Sequence, residues 1–270
     1  NGGQGTGGFA GHVDKSTFSN CYATGAVTGE YNSLGGFAGW GRQYTMTNCY
    51  ATGTVTSTGE TADSCGGLVG STSTMSAGKT NTLTNSYATG NVVNCGTYSA
   101  GGLIGYARQM TISNCRATGN VSTATSLAAS VRMAGGLIGS LTHDNESSPF
   151  NSIDNSSASG NVTVTTGAAY AAGGGLIGKQ TYNNGGVPVA VGGATISNAY
   201  ATGNVSCSSS NNSAMCGGLI GSIEDYITIT NVHTKPTVAA TVSSSSYGTM
   251  SNNGVGGLIG SITLSNDLTG

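Results

Sequence analysis

Apolar and polar residues alternate along short segments that recur throughout the chain. In the segment 21–27, Cys21, Ala23 and Val27 share one set of alternate positions, whereas Tyr22 and Thr24 fall on the other. A period of two residues is that of a β-strand, in which successive side chains point to opposite faces. The small apolar residues are therefore expected inside the fold, and the tyrosine and threonine outside it.

Two motifs recur in a fixed order. The first reads Gly-Gly-Leu/Phe-aliphatic-Gly, and its second glycine is Gly8, Gly36, Gly67, Gly102, Gly136, Gly175, Gly218 or Gly257. The second reads Asn-Cys/Ser-Tyr-Ala-Thr-Gly-x-Val in its clearest copies, and it begins at Asn20, Asn48, Asn85, Asn114, Asn155, Asn198 and Asn231. Successive glycine motifs lie 28 to 43 residues apart. Such a period is typical of solenoids, propellers and other repeat arrays.

Repeat length and residue type decide among these architectures. The segments are rich in Thr, Val, Ile and Tyr, which favour strands, and the frequent glycines disfavour helices. The shortest repeat has 28 residues, whereas a propeller blade needs about 40. The sequence therefore predicts an all-β fold, a β-solenoid (β-helix) of about eight stacked coils with variable corner loops. Residues 1–270 form one repeat domain, with coils that begin near 7, 35, 66, 101, 135, 174, 217 and 256.

Stacking in register turns each repeat position into a column. An outer column holds Tyr22, Tyr50, Tyr87, Arg116, Ser157, Tyr200 and His233, and a second one holds Thr24, Thr52, Thr89, Thr118, Ser159 and Thr202. An inner column, two residues before each motif asparagine, holds Met46, Leu83, Ile112, Ile153, Ile196 and Ile229. The asparagine column is expected to mark a corner where stacked amides bond along the axis. The longest spacers, 71–84, 140–154, 179–197 and 239–255, are expected to project from two corners.

The paired motifs, as in Gly101–Val121, Gly135–Val162 and Gly217–Val238, resemble the GLUG repeat. That repeat occurs in bacterial surface proteins, adhesin-like proteins and non-catalytic parts of some IgA-cleaving metallopeptidases. The resemblance covers nearly the whole chain and implies a secreted or surface-exposed β-solenoid. The segment 231–236 departs most from the motif, because it lacks the Ala-Thr-Gly core.

Charge and hydropathy exclude two classes of partner. The formal net charge is −2, and only 7 % of the residues are charged, so we expect no attraction to nucleic acid. No apolar run approaches the roughly 20 residues of a membrane span. Membrane insertion is therefore not expected.

The seven cysteines show no C-x-x-C spacing. Cys21, Cys49 and Cys115 occupy a repeat position that is Ser or Ala in other copies, so this position requires a small side chain rather than a thiol. Cys207 and Cys216 flank a polar loop, and we predict a disulfide between them. Cys65 and Cys95, in successive loops, are candidates for a bridge between neighbouring repeats. Disulfides would fit an extracellular setting.

A search for chemistry identifies no catalytic, metal-binding or cofactor-binding residues. His12, His143 and His233 lie in different repeats, and the metallopeptidase motif H-E-x-x-H is absent from the sequence. The closest approach to a glycosidase pair is Glu224-Asp225 or Asp144 with Glu146. We expect these to be solvated loop charges.

Two surface features could involve sugars. Sequons for N-glycosylation begin at Asn120, Asn145, Asn155, Asn161, Asn204 and Asn211, although many sequons arise by chance in such a chain. The tyrosine column could stack on sugar rings of a ligand. A structural ladder, in which each ring covers its neighbour, is the expected role.

We therefore expect a non-enzymatic extracellular structural protein that assembles end to end into a surface filament or fibre. Its first residues enter a full glycine motif directly, and its last residues form a shortened copy of the asparagine motif, so a second copy is expected to complete the last coil head to tail. The alternative is the stalk or ligand-binding segment of a larger cell-surface adhesin, with a glycan or protein ligand. A solenoid enzyme acting on polysaccharide is the remaining class.

Overall fold

The computed structural model describes residues 5–73, 79–96, 98–124, 131–143, 151–167, 170–182, 193–210, 213–242 and 254–263. Within these ranges the regular structure consists of β-strands, and the strands of successive coils pair in parallel. The predicted all-β solenoid is confirmed. The central parts of the four longest spacers lie outside the described residues, as do Asp144, Asn145, Glu146 and Asn211. The described segments contain no helix long and apolar enough to cross a membrane.

Three sheets run along the rod, and a coil supplies at most one strand to each of them. The glycine sheet, which follows each glycine motif, contains Ala10–Asp14, Ala38–Arg42, Val69–Ser73, Ile104–Arg108, Ile138–His143, Ile177–Tyr182, Ile220–Ile223 and Ile259–Ile262. The asparagine sheet contains Thr17–Ser19, Thr45–Thr47, Asn81–Thr84, Met110–Ser113, Asn151–Asp154, Ala194–Ser197 and Ile227–Thr230. The tyrosine sheet contains Tyr22–Ala23, Tyr50–Ala51, Tyr87–Ala88, Arg116–Ala117, Ser157–Ala158, Tyr200–Ala201 and His233–Thr234.

A fourth sheet, the valine sheet, closes each coil. Its strands are Gly5–Gly7, Val27–Gly35, Val55–Gly66, Val92–Cys95, Ser99–Gly101, Val121–Thr123, Val131–Gly135, Val162–Thr166, Tyr170–Gly174, Val205–Ser209, Ser213–Gly217, Val238–Val242 and Gly254–Gly256. The strands Val27–Gly35 and Val55–Gly66 are continuous. In later coils the same path contributes two strands, such as Val92–Cys95 and Ser99–Gly101.

The register between coils places equivalent residues in columns. Ile112 pairs with Leu83 on one side and with Ile153 on the other, and all three side chains are buried. Tyr87 pairs with Tyr50 and Arg116 in the same way. The threonine column is exposed along its length. The inward and outward positions predicted from the alternation are therefore confirmed.

The buried apolar side chains form two separate clusters. The larger one, called here the wide core, lies among the glycine, asparagine and tyrosine sheets and is lined by columns such as Leu103 and Ile112. The smaller one, the narrow core, lies within the valine sheet and is lined by valine, alanine and cysteine, as at Val121 and Ala134. Each coil therefore has two lobes rather than one.

A column of glycines separates the two lobes. A Cβ atom on Gly102 would lie 2.1 Å from the carbonyl oxygen of Gly136 and 2.9 Å from Cβ of Ala117. The chain needs glycine here because the backbone approaches the next coil and the alanine column closely. The motif glycine and the motif alanine are thus the two sides of one contact.

The motif asparagines form a corner, as predicted. Asn48, Asn114 and Asn155 have φ values of 55°, 54° and 44°, in the left-handed region that asparagine tolerates better than most residues. The Asn155 Nδ2 donates to the Asn114 Oδ1 at 2.6 Å, and the Asn48 Nδ2 donates to the Asn20 Oδ1 at 3.0 Å. These side-chain amides bond along the rod axis, so the corner is held by both backbone geometry and side chains.

Candidate binding surface on the tyrosine sheet

The outer column of the tyrosine sheet begins as a stack of rings. Tyr22 and Tyr50 have ring centroids 5.0 Å apart and planes 4° from parallel, and Tyr50 and Tyr87 are stacked at 4.8 Å and 2°. The Tyr50 ring, in the middle of this stack, is covered on one face by Tyr22 and on the other by Tyr87, so neither face is open to a ligand. Over these coils, the ladder has the structural role that the sequence predicts.

The column continues with other planar groups and one interruption. The guanidinium carbon of Arg116 lies 4.3 Å from the ring centroid of Tyr87, a cation–π contact. Further along, Tyr200 and His233 are stacked at 5.3 Å and 8°. Ser157 lies between the two groups, because it pairs with Arg116 on one side and with Tyr200 on the other. The ladder therefore consists of two stacks with a single small residue between them.

A second asparagine ladder, which the sequence reasoning did not assign, lies beside the threonine column. The Asn91 Oδ1 accepts the backbone N–H of Asn120 at 2.9 Å, and the Asn120 Oδ1 accepts that of Asn161 at 2.9 Å. The contact is repeated from Asn161 to Asn204, and from Asn204 to Thr237. The signal was the recurrence of Asn two residues after the motif threonine in successive copies.

This ladder contains three of the predicted glycosylation sites. Asn120, Asn161 and Asn204 are exposed and lie on adjacent coils, about 4.8 Å apart along the axis. Glycans on all three would crowd one another at that spacing. Asn155 is also exposed, but its amide nitrogen is used in the corner ladder.

Both candidate disulfides are formed in the structure. Cys207 and Cys216 are joined within one coil, with Cα atoms 6.0 Å apart, and Cys65 and Cys95 are joined across successive coils, with Cα atoms 5.8 Å apart. All four cysteines belong to the narrow core.

The remaining cysteines are free and line the wide core. Cys49 and Cys115 are buried, whereas Cys21 in the first coil is partly exposed. Burial raises the pKa of Cys115 to about 11, so its thiol is neutral and unreactive at ordinary pH. These residues pack as small apolar side chains, as the sequence predicts.

The candidate carboxylates have structural partners. Glu224 forms an ion pair with Lys179 at 2.8 Å and accepts a hydrogen bond from Thr181 at 3.2 Å. Asp225 is buried, and its Oδ2 accepts a hydrogen bond from Gln180 Nε2 at 3.2 Å. The prediction of a solvated loop charge is therefore wrong for Asp225, because the corner folds its carboxylate inward. Asp144 and Glu146 lie outside the described residues.

Burial raises the pKa of the Asp225 carboxyl, and hydrogen bonding and the charge of His143 act against this increase. His143 is buried near this carboxyl, His12 contacts Trp40 with ring centroids 4.4 Å apart, and His233 belongs to the ladder. Among the described residues, no group of three or more His, Cys, Asp or Glu side chains is placed to hold a metal ion.

Fold and surface together define this chain as a β-solenoid repeat protein. A family model described as the GLUG motif matches residues 2–28, 30–56 and 96–122. These matches confirm the resemblance to GLUG repeats that is seen in the sequence. No curated protein and no solved structure matches the chain.

Proposed function

We propose that this protein is an extracellular, non-enzymatic structural solenoid that assembles end to end into a filament. The observation that carries the proposal is the exposure of one apolar column in the first and last coils that the structure describes. The column contains Phe9, Phe37, Leu68, Leu103, Leu137, Leu176, Leu219 and Leu258, which follow the paired glycines.

The inner members of this column are fully buried, from Phe37 to Leu219. The outer members are not: Phe9 is 50 % exposed and Leu258 is 38 % exposed. Phe9 stacks on Phe37 at 4.4 Å with parallel planes, so one ring face is covered by the second coil. A further coil stacked on either end would cover these side chains and pair the strand edges beside them.

Extracellular placement is supported by the two disulfides, which persist in oxidising compartments. The non-enzymatic role is supported by the partners of Glu224 and Asp225, which tie both carboxylates into the fold. The low share of charged residues fits a rod whose ends pack against copies of itself, because few charges would have to be desolvated there.

The test is light scattering and sedimentation of the purified 270-residue chain over a range of concentrations, followed by electron microscopy. We expect the mean mass to rise with concentration and fibres to form. Phe9→Asp and Leu258→Asp should each prevent this, because a charge would be buried at the junction. Thr163→Asp, at an exposed position midway along the rod, is the matched control and should assemble normally.

A stable monomer at high concentration, without fibres, would contradict self-assembly. The same open ends would then be covered by adjoining coils of a longer chain. That result favours the second candidate function, the stalk or ligand-binding segment of a surface adhesin, which the interruption at Ser157 also supports because it offers a place for a ligand.

A further inference from the structure

The interruption of the ladder forms a depression in the tyrosine sheet. Of the seven residues in the outer column, only Ser157 is small. Ser159, two residues further on, also replaces the threonine found at that position in both neighbouring coils. The side chains of this coil therefore extend less far from the tyrosine sheet than those of the two neighbouring coils. We call the depression bounded by Arg116, Ser157, Ser159 and Tyr200 the Ser157 notch.

The notch has the width of one ring. Rings elsewhere in the column are stacked at 4.8 Å and 5.0 Å. Arg116 and Tyr200 each pair with Ser157, so they lie two coil spacings apart, about 9.6 Å. One ring midway between them would lie about 4.8 Å from each wall, the separation that the neighbouring rungs already adopt.

Both walls are supported from behind. The Tyr200 ring stacks on His233 on the side away from the notch, and it is 41 % exposed, whereas Tyr50, which is covered on both faces, is only partly exposed. The Arg116 guanidinium lies over Tyr87 and is likewise exposed. These contacts restrict the two side chains before a ligand arrives, which lowers the entropy cost of binding.

The groups around the notch select a type of ligand. An aromatic face such as that of Tyr200 packs against the C–H face of a pyranose ring. The Arg116 guanidinium carbon lies 4.3 Å from the Tyr87 ring centroid, so its positive charge stands at one wall of the notch and can pair with a carboxylate. The hydroxyls of Ser157 and Ser159 can donate to or accept from sugar hydroxyls.

From these groups we infer that the Ser157 notch binds one carboxylate-bearing pyranose, a uronic acid residue within an acidic polysaccharide. This ligand uses the ring face, the cation and the hydroxyls together, whereas a neutral sugar would leave the cation without an anionic partner. The inference does not depend on end-to-end assembly, because the notch lies between two inner coils.

The test is isothermal titration calorimetry of the purified chain with trigalacturonate, compared with neutral maltotriose. We expect at least tenfold tighter binding of trigalacturonate. Ser157→Tyr would restore the missing rung and should weaken this binding at least tenfold. Tyr200→Ala should weaken binding of the ring, and Arg116→Gln should remove the preference for the acidic sugar.

Ser206→Tyr is the matched control, because it adds the same ring at an exposed position on the valine sheet, and it should bind like the unchanged chain. Circular dichroism would establish that Ser157→Tyr is folded. The inference is overturned if trigalacturonate does not bind, or if Ser157→Tyr binds it equally well. It is also overturned if Ser157→Tyr abolishes self-association while no sugar binds, since the notch would then accept a side chain from a second copy.

Discussion

The wide and narrow cores solve the same packing problem with different means. The wide core is lined by Leu, Ile and Met columns, and its cysteines, such as Cys49 and Cys115, are free. The narrow core is lined mainly by Val, Ala and Cys, and both disulfides lie in it. Small side chains bury little apolar area, so covalent links compensate where apolar burial is least. In this solenoid, the disulfides therefore lie in the smaller of the two lobes, where apolar burial contributes less.

The largest expected effect is a truncation in the wide core. Leu137→Ala removes a fully buried side chain and should cost about 2–5 kcal/mol in the free energy of unfolding. Val121→Ala in the narrow core removes fewer carbon atoms, and its cost should be smaller. Chemical denaturation of both variants is the measurement. Equal losses in the free energy of unfolding would mean that apolar burial stabilises both cores to the same extent, which would contradict the proposed difference between them.

The second effect concerns the crosslinks. The Cys65–Cys95 and Cys207–Cys216 bridges span 30 and 9 residues, and their loss through paired Cys→Ser substitution should cost about 3.5 and 2.5 kcal/mol on the loop-entropy estimate. Cys49→Ser in the wide core is the control, because Ser86 holds the equivalent position, and it should cost much less. Peptide mapping without reduction would establish the pairing; free thiols at all four positions would refute it.

The third prediction concerns the boundary between the lobes. Ala117→Leu would place a larger side chain against Gly102 and should cost about 1–3 kcal/mol. Thr118→Val, next to it but exposed, should cost far less. The midpoints and slopes of urea unfolding measure both. If Thr118→Val proved the more costly change, the assignment of inner and outer faces would be incorrect.

The smallest effect is a pH dependence at the polar edge of the wide core. Burial raises the pKa of Asp225 in the folded state above its value in the unfolded chain. The folded state therefore binds more protons at mildly acidic pH, and this carboxyl makes stability fall as pH rises from about 4 through the folded-state pKa. Asp225→Asn should lack that decrease, so its stability relative to the unchanged chain should increase with pH in urea titrations.

Asp14 provides a control of opposite sign. The hydrogen-bonded Arg42 holds the pKa of the Asp14 carboxyl below its ordinary value. Its contribution is therefore present above the unfolded-state pKa and is lost as pH falls through the folded-state pKa. Asp14→Asn should thus approach the unchanged chain in stability on acidification. A common pH trend for both variants would contradict these assignments.

The columns of equivalent residues can be predicted from the sequence, whereas the division of each coil into two lobes cannot. A period of two residues and a fixed motif order suffice to place Tyr87 outside and Ile112 inside. The valine and leucine columns look alike in such a pattern, because both are apolar and inward. The separation depends on the contact of Gly102 with Gly136 and Ala117, which is set by the path of the backbone around the coil.

Single departures from the repeat depend on contacts that repeat spacing does not define. Gln180 lies in a column between Leu141 and Ile223, and the sequence reasoning did not identify its buried contact with Asp225. The repeat register alone places Ser157 in the tyrosine column, and the strand pairing confirms that position. Its separation of two stacks follows from the ring orientations and from the position of the Arg116 guanidinium over Tyr87, which depend on side-chain rotamers rather than on repeat spacing.

The backbone hydrogen bonds between coils determine how the rod responds to tension. Since they run between strands stacked along the axis, a pull on the two ends loads one coil interface at a time, and the rod should unwind coil by coil. The Cys65–Cys95 bridge keeps 30 residues closed during this process and so shortens the maximum extension by roughly 100 Å. A strained rod would then lengthen by steps of unequal size, with the coil closed by this bridge giving the shortest step.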